Sequence, residues 1–202
     1  MSSDDAGRVV PGKPRRRPPI TDSMRARAQR NPNSWLYVID EAFDPAGSVP
    51  DWAVVGAYPV NADGEIVADF HPNEDYRPSP QALGFPEPDG ELEDLLQLVR
   101  TGHRSASDLP PVVLRSTLYV YAVSPEQGNL TGFYDKRGRI VVPAYTRRTM
   151  IPAEWPSSRT LTGRQILPQL AGHPLAINPE GLVTAVVPME HLEAAARRRW
   201  RR

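Results

Sequence analysis

Proline constrains this chain more than any other residue type: 23 of its 202 positions are proline, about twice ordinary usage. Each proline fixes φ and removes a backbone donor, so short helices, edge strands and long ordered loops are favoured over extended helices. A mostly helical fold is disfavoured. With 40% apolar residues the chain can bury one good core or two small ones, and its length points to two compact parts.

The hydrophobic pattern supports that division. Residues 1 to 19 are polar, basic and Pro-rich, and are expected to be a disordered arm. "TDSMRARAQRNP" reads as a short helix capped by Thr21 or Asp22 and stopped at Asn31-Pro32. "WLYVID" reads as a strand, and "WAVVGAYPV" with "EIVADF" as a hairpin turned at Asp63-Gly64. A five-proline loop follows, for which Tyr76, Leu83 and Phe85 offer apolar anchors, and then an amphipathic helix, "ELEDLLQLVRTG", capped by Asp89 and ended by Gly102. After a polar break near 102 to 108 the pattern restarts. "LPPVVLRS" reads as helix, "TLYVYAV" as strand, "LTGFYD" and "RIVVPAYT" as a hairpin, and "TGRQILPQLA" as a short helix. "LAIN" and "LVTAVV" form a last hairpin before a terminal helix, "PMEHLEAAARRRW", with Pro188 in its first turn.

The expected fold class is therefore α+β: two small mixed units with mostly antiparallel sheets and short flanking helices. The units are set at residues 20 to 105 and 106 to 196, followed by an Arg-rich tail at 197 to 202. "WLYV" with "VVGAYPVNADGEIVADF" parallels "TLYV" with "LTGFYDKRGRIVVPAYT" across a two-residue gap, which suggests a divergent internal duplication.

The formal charge of zero hides an uneven distribution. Five Lys and Arg fall in residues 1 to 17 and five Arg in 197 to 202, leaving 14 basic and 22 acidic residues between. Fifteen of those acidic residues precede residue 106, so the first unit is acidic and a basic nucleic-acid-binding face is disfavoured. The Arg-rich tail, with Trp200 as an apolar anchor, suits an anionic membrane surface or an acidic partner; a solvated terminus is the equally weighted alternative. No apolar run has the length of a signal peptide or a membrane span, so a soluble cytoplasmic protein is expected.

Candidate chemistry is sparse. The absence of cysteine excludes disulfides, thiolate metal sites and cysteine nucleophiles. Asp69, His71, Glu74 and Asp75 in "DFHPNED" have ligand chemistry but read better as a solvated turn. The other histidines, His103, His173 and His191, are isolated, no Gly-x-Ser-x-Gly elbow occurs, and no metal or cofactor is expected. In "RTLTGRQILPQL", Thr162 and Gln165 have capping-box spacing, which explains the threonine without a ligand. An anion held at that helix start, with Arg159 and Arg164 nearby, is the competing reading.

The segments "TLYVYAV", "RIVVPAYT", "WPSSRTLTGRQILPQL" and "LAINPEGLVTAVVP" resemble the SseB-like domain. Upstream, "PPITDSMRARAQRNPNSWLYVIDEAFDP", "VVGAYPVNADGEI" and "YRPSPQALGFPEP" are similar to actinobacterial type VII secretion system-associated proteins. Together the similarity spans about residues 18 to 190. It carries no catalytic residues and implies a non-enzymatic cytoplasmic adaptor that binds a secretion-system component or its cargo. The chain lacks the W-x-G turn of secreted substrates of that system. Two alternatives remain: a sensor binding a small anionic metabolite through Arg147, Arg148, Arg159 and Arg164, or an SseB-like regulator of amino-acid metabolism. Exposed sheet edges also make a homodimer plausible.

Overall fold

The computed structural model describes residues 17 to 124, 126 and 128 to 198. The fold is α+β, with two sheets, one three-stranded and antiparallel, the other six-stranded and mixed. The chain divides into two compact units, residues 1 to 87 and 88 to 202.

In the first unit, helix α1 (Asp22–Arg30) starts where Thr21 Oγ1 accepts the Met24 amide at 3.3 Å. Strand β1 (Trp35–Ile39) pairs antiparallel with β2 (Val54–Pro59), which pairs with the two-residue β3 (His71–Pro72). Ala28 of the helix packs on Leu36, Tyr58 and Val60 to make a small core, joined by Ile20 and Met24. Tyr58 Oη donates to the Pro18 carbonyl at 2.7 Å, so the chain is already tied to this core at residue 18. Residues 1 to 16 of the expected disordered arm lie outside the described residues.

The strand expected over "EIVADF" does not form. Ile66 makes only an isolated bridge to Val60, after a turn in which Asn61 Oδ1 accepts the Asp63 and Glu65 amides. Phe70 then closes onto the sheet, its ring 4.8 Å from that of Tyr58. A Cβ at Gly56 would overlap both the Phe70 ring and the His71 carbonyl, so Phe70 occupies space that only glycine leaves.

In the second unit, α2 (Glu91–Arg100) and α3 (Leu109–Arg115) precede β4 (Thr117–Ala122), and β5 (Phe133–Tyr134) precedes β6 (Ile140–Tyr145). Then come β7 (Ser157–Thr162), the one-turn α4 (Gly163–Ile166), β8 (Leu175–Ile177), β9 (Ala185–Val187) and α5 (Met189–Arg198). The sheet order is β7-β4-β6-β8-β9, with β5 also paired to β6; among the described residues only β6 and β8 run parallel. Leu118 and Val120, Val142 and Ala144, and Leu175 and Ile177 alternate toward the helices, where Leu95, Val113 and Leu192 complete the core. The side of β4 opposite that core carries an aromatic cluster: Tyr121 lies edge-on to Phe133 and Trp155, with ring centres at 5.0 and 5.2 Å.

Three sequence expectations change. The unit boundary falls after residue 87, not 105, because Leu92, Leu95 and Leu96 of α2 are buried with α3 and β4. The polar stretch between α2 and α3 is a tight connector, with the His103 and Arg104 amides donating to the Leu98 carbonyl. Second, "SSRTLT", to which the sequence assigns no element, is a six-residue strand, matched residue for residue along β4. Third, strand pairing differs in the segments proposed as duplicates. The leading strand β1 pairs with the first segment of its hairpin, whereas β4 pairs with β6, the second of its own.

Candidate functional site

Three polar clusters and one groove stand out, and each is built by local sequence. In the first unit Asp40, at the end of β1, is 2% exposed. It accepts the Ser79 hydroxyl at 2.5 Å, the Ser79 amide and the Tyr76 hydroxyl at 2.9 Å each, and the Ala42 amide at 3.1 Å. Burial pushes its carboxyl up, and the bonds from Ser79, Ala42 and Tyr76 outweigh that and hold it below the ordinary aspartate range. Tyr76 is raised by burial and by its bond to Asp40. Ser79 Oγ also accepts the Ala82 amide at 3.0 Å. The cluster is a latch fastening the Pro-rich loop to the sheet. Tyr76 anchors that loop as expected, but through its hydroxyl, while the Leu83 side chain is 40% exposed.

In the second unit Glu93, 7% exposed, receives Arg147 Nε at 2.7 and 2.9 Å, the Thr146 hydroxyl at 2.6 Å and the Asp89 amide at 2.8 Å. Burial raises its carboxyl, and Arg147, Thr146 and the Asp89 amide together bring it below the ordinary range. Asp89 therefore serves the helix start through its amide rather than as a side-chain cap; Gly90 holds the capping position. Asn178, 2% exposed, accepts the Thr146 amide at 2.9 Å and donates to Thr146 Oγ1 at 3.0 Å. Asn178 also adopts a positive φ of 47° and opens the turn closed by Gly181, whose amide donates to the Asn178 carbonyl. The Asn-Pro turn is thus a strut between β6 and β8.

The third cluster is the "LTGRQ" turn. Thr162 accepts the Gln165 amide, and Gln165 Oε1 accepts the Thr162 amide at 2.8 Å, so the reciprocal capping box is present. A Cβ on Gly163 would overlap the Val113 carbonyl oxygen and lie 2.7 Å from its carbon and 2.9 Å from Leu114 Cα. Glycine is needed there because two backbones touch. Threonine, glycine and glutamine of the motif are accounted for by packing and capping.

The groove lies between α3 and α5, beside β9 at the edge of the sheet, with a volume of about 790 Å³. Leu109, Pro110, Leu114 and Val187 supply apolar lining, as do Ala194 and Ala195 on α5. Its cationic groups are Arg115, Arg164 and Arg198, with the His191 imidazole beside them, and no carboxylate lines it among the described residues. Arg115 is bound by Glu91, with Nε to Oε2 at 2.9 Å, whereas Arg164 and Arg198 make no ion pair among the described residues.

The four arginines expected to gather an anion do not converge. Arg147 is spent on Glu93, Arg148 lies over the Tyr119 ring at 6.0 Å, Arg159 donates to the Gly128 carbonyl at 3.1 Å, and only Arg164 lines the groove. Trp200 lies outside the described residues, while the helix of the basic tail continues through Arg198. In "DFHPNED" Asn73 is the organising residue: its side-chain amide donates to the Asp51 and Val54 carbonyls, and its Oδ1 accepts the Asp75 amide. No group of three or more His, Asp or Glu suited to a metal occurs among the described residues. His191, Ala194, Ala195 and Arg198 were missed by sequence reasoning as a lining, although their three- and four-residue spacing marks one face of α5.

None of the described helices is long and apolar enough to cross a membrane. Fold and site define an α+β protein with an apolar, arginine-bearing groove. Comparison with family models, with curated proteins and with solved structures gave no match.

Proposed function

We propose that this chain is a non-catalytic accessory protein of a type VII secretion system that works in the cytoplasm as an adaptor, binding a component of the machinery or its cargo. The observation that carries the binding reading is the groove between α3 and α5. It gathers apolar side chains at a surface where Val186 is 46% exposed, and it carries cations with no carboxylate among them in the described residues. The assignment to secretion rests on the upstream segments similar to type VII secretion system-associated proteins, while the Thr-Gly and Asn-Pro features of the SseB-like segments serve the scaffold. A non-catalytic role is further supported by the buried polar groups, since Asp40, Ser79 and Glu93 spend their hydrogen bonds within the chain.

The test is crosslinking and affinity capture of the tagged protein from its host, with wild type and Val186→Glu in parallel. Secretion-system subunits or cargo should be recovered with wild type and depleted at least fivefold with the variant. Recovery of metabolic enzymes alone, or of the same subunits with both proteins, overturns the proposal. The groove volume also falls within the range of small-molecule sites, so a metabolite is the second reading. A ligand at 100 times its Kd would add about 2.7 kcal/mol of stability, which a thermal-shift screen detects.

A further inference from the structure

We infer that the groove takes an amphipathic helix of about three turns with carboxylates flanking its apolar stripe, an inference that rests on the groove being the docking site proposed above. Length is the first argument. The α5 residues on the groove are His191, Ala194, Ala195 and Arg198, with Pro188 just ahead of the helix, so the groove follows α5 from end to end. Ten helical residues rise about 15 Å, the length of three turns in an occupant lying alongside.

Surface relief is the second argument. Ala194 and Ala195 on one wall and Pro110 and Pro111 on the other are short or flat, which lets a third helix approach at ordinary packing distance. Strand addition at β9 is the weaker mode, because that edge is three residues long.

Charge is the third. Arg164 and Arg198 come from different elements, and neither has an ion-pair partner among the described residues. Arg115 is already neutralised by Glu91. A single acyl carboxylate satisfies one such cation, whereas a helix with acidic residues on both sides of its stripe meets both.

The test uses three fluorescein-labelled 14-residue peptides with the same Leu/Ala stripe and with Glu, Gln or Lys at the flanking positions. Binding to the full chain is read by anisotropy at low and high salt. The Glu peptide should bind at least tenfold tighter than the Gln peptide, weaken with salt and lose affinity with Arg164→Glu, and the Lys peptide should not bind. The double variant Arg164→Glu/Arg198→Glu should reverse that order and prefer the Lys peptide, a result that simple misfolding does not give. Equal binding of all three peptides overturns the inference. So does stabilisation by decanoate without peptide binding, or occupation of the groove by a second copy, seen as a dimer that Val186→Glu dissociates. If Val186→Glu abolishes capture of secretion subunits but the peptides show no charge preference, the docking site stands and the acidic helix falls. If capture is unaffected by Val186→Glu, the docking reading itself falls.

Discussion

Replacing Gly163 by alanine separates two effects of opposite sign. Gly163 opens α4, where helix propensity alone favours alanine over glycine by about 0.5–1 kcal/mol. The added methyl, however, would overlap the Val113 carbonyl oxygen and crowd Leu114 Cα at 2.9 Å. All these atoms are backbone and cannot rotate away, and the Gly163 amide is itself bonded to the Ser116 carbonyl at 3.1 Å. Relieving the overlap means separating α4 from the end of α3, an overpacking cost of about 2–3 kcal/mol that exceeds the propensity gain. The net loss of about 1–2 kcal/mol should lower Tm by roughly 3–8 °C. Thermal unfolding followed by circular dichroism measures it, with Gly128→Ala as control, since nothing lies within 4 Å of a Cβ there. An unchanged or raised Tm for Gly163→Ala would refute the close-approach account and reopen the anion-binding reading of the motif.

Further outcomes follow from the same contacts. Thr162→Ala removes the reciprocal cap and should cost about 1 kcal/mol, read as a lower urea midpoint with an unchanged m-value. Asp40→Ala leaves the Tyr76 and Ser79 hydroxyls without their buried acceptor and should cost at least about 2 kcal/mol, with protease cleavage appearing first in the 73 to 90 loop. Asp40 and Glu93 are lowered in the folded chain, so on acidification the unfolded chain takes up protons first. Their stabilisation is intact above about pH 4.5 and is lost as pH falls through the lower folded values. The urea midpoint should therefore drop as pH falls below about 4.5, and by less in Asp40→Asn than in wild type.

Much of this architecture was legible because it rests on local signals. Thr21 before α1, the leucine stripe of α2 and the Thr162–Gln165 spacing each identify an element without knowledge of its neighbours. What stayed hidden depends on residues far apart in sequence. Strand β7 is polar and ends the sheet, so its identity comes from pairing with β4 rather than from alternation of its own. The stripe of α2 shows that the helix is buried, not what buries it, so the sequence places it in the first unit and the structure in the second. The strand after Gly64 was lost to Phe70, whose fit over Gly56 no periodicity encodes. Among the candidate arginines, residue type suggested an anion site, but partners such as Glu93 and the Gly128 carbonyl decided their use. The groove draws on α3, α4, β9 and α5, and only the α5 face has a spacing that sequence displays.

Photocrosslinking in the host tests the central claim most directly. A benzoylphenylalanine at position 186 sits beside the groove, and one at position 37, where Tyr37 is 54% exposed in the first unit, serves as comparator. The account expects position 186 to crosslink to a secretion-system component or cargo protein, and Arg164→Glu to weaken that adduct. Adducts to such proteins from position 37 alone, with none from position 186, would contradict it.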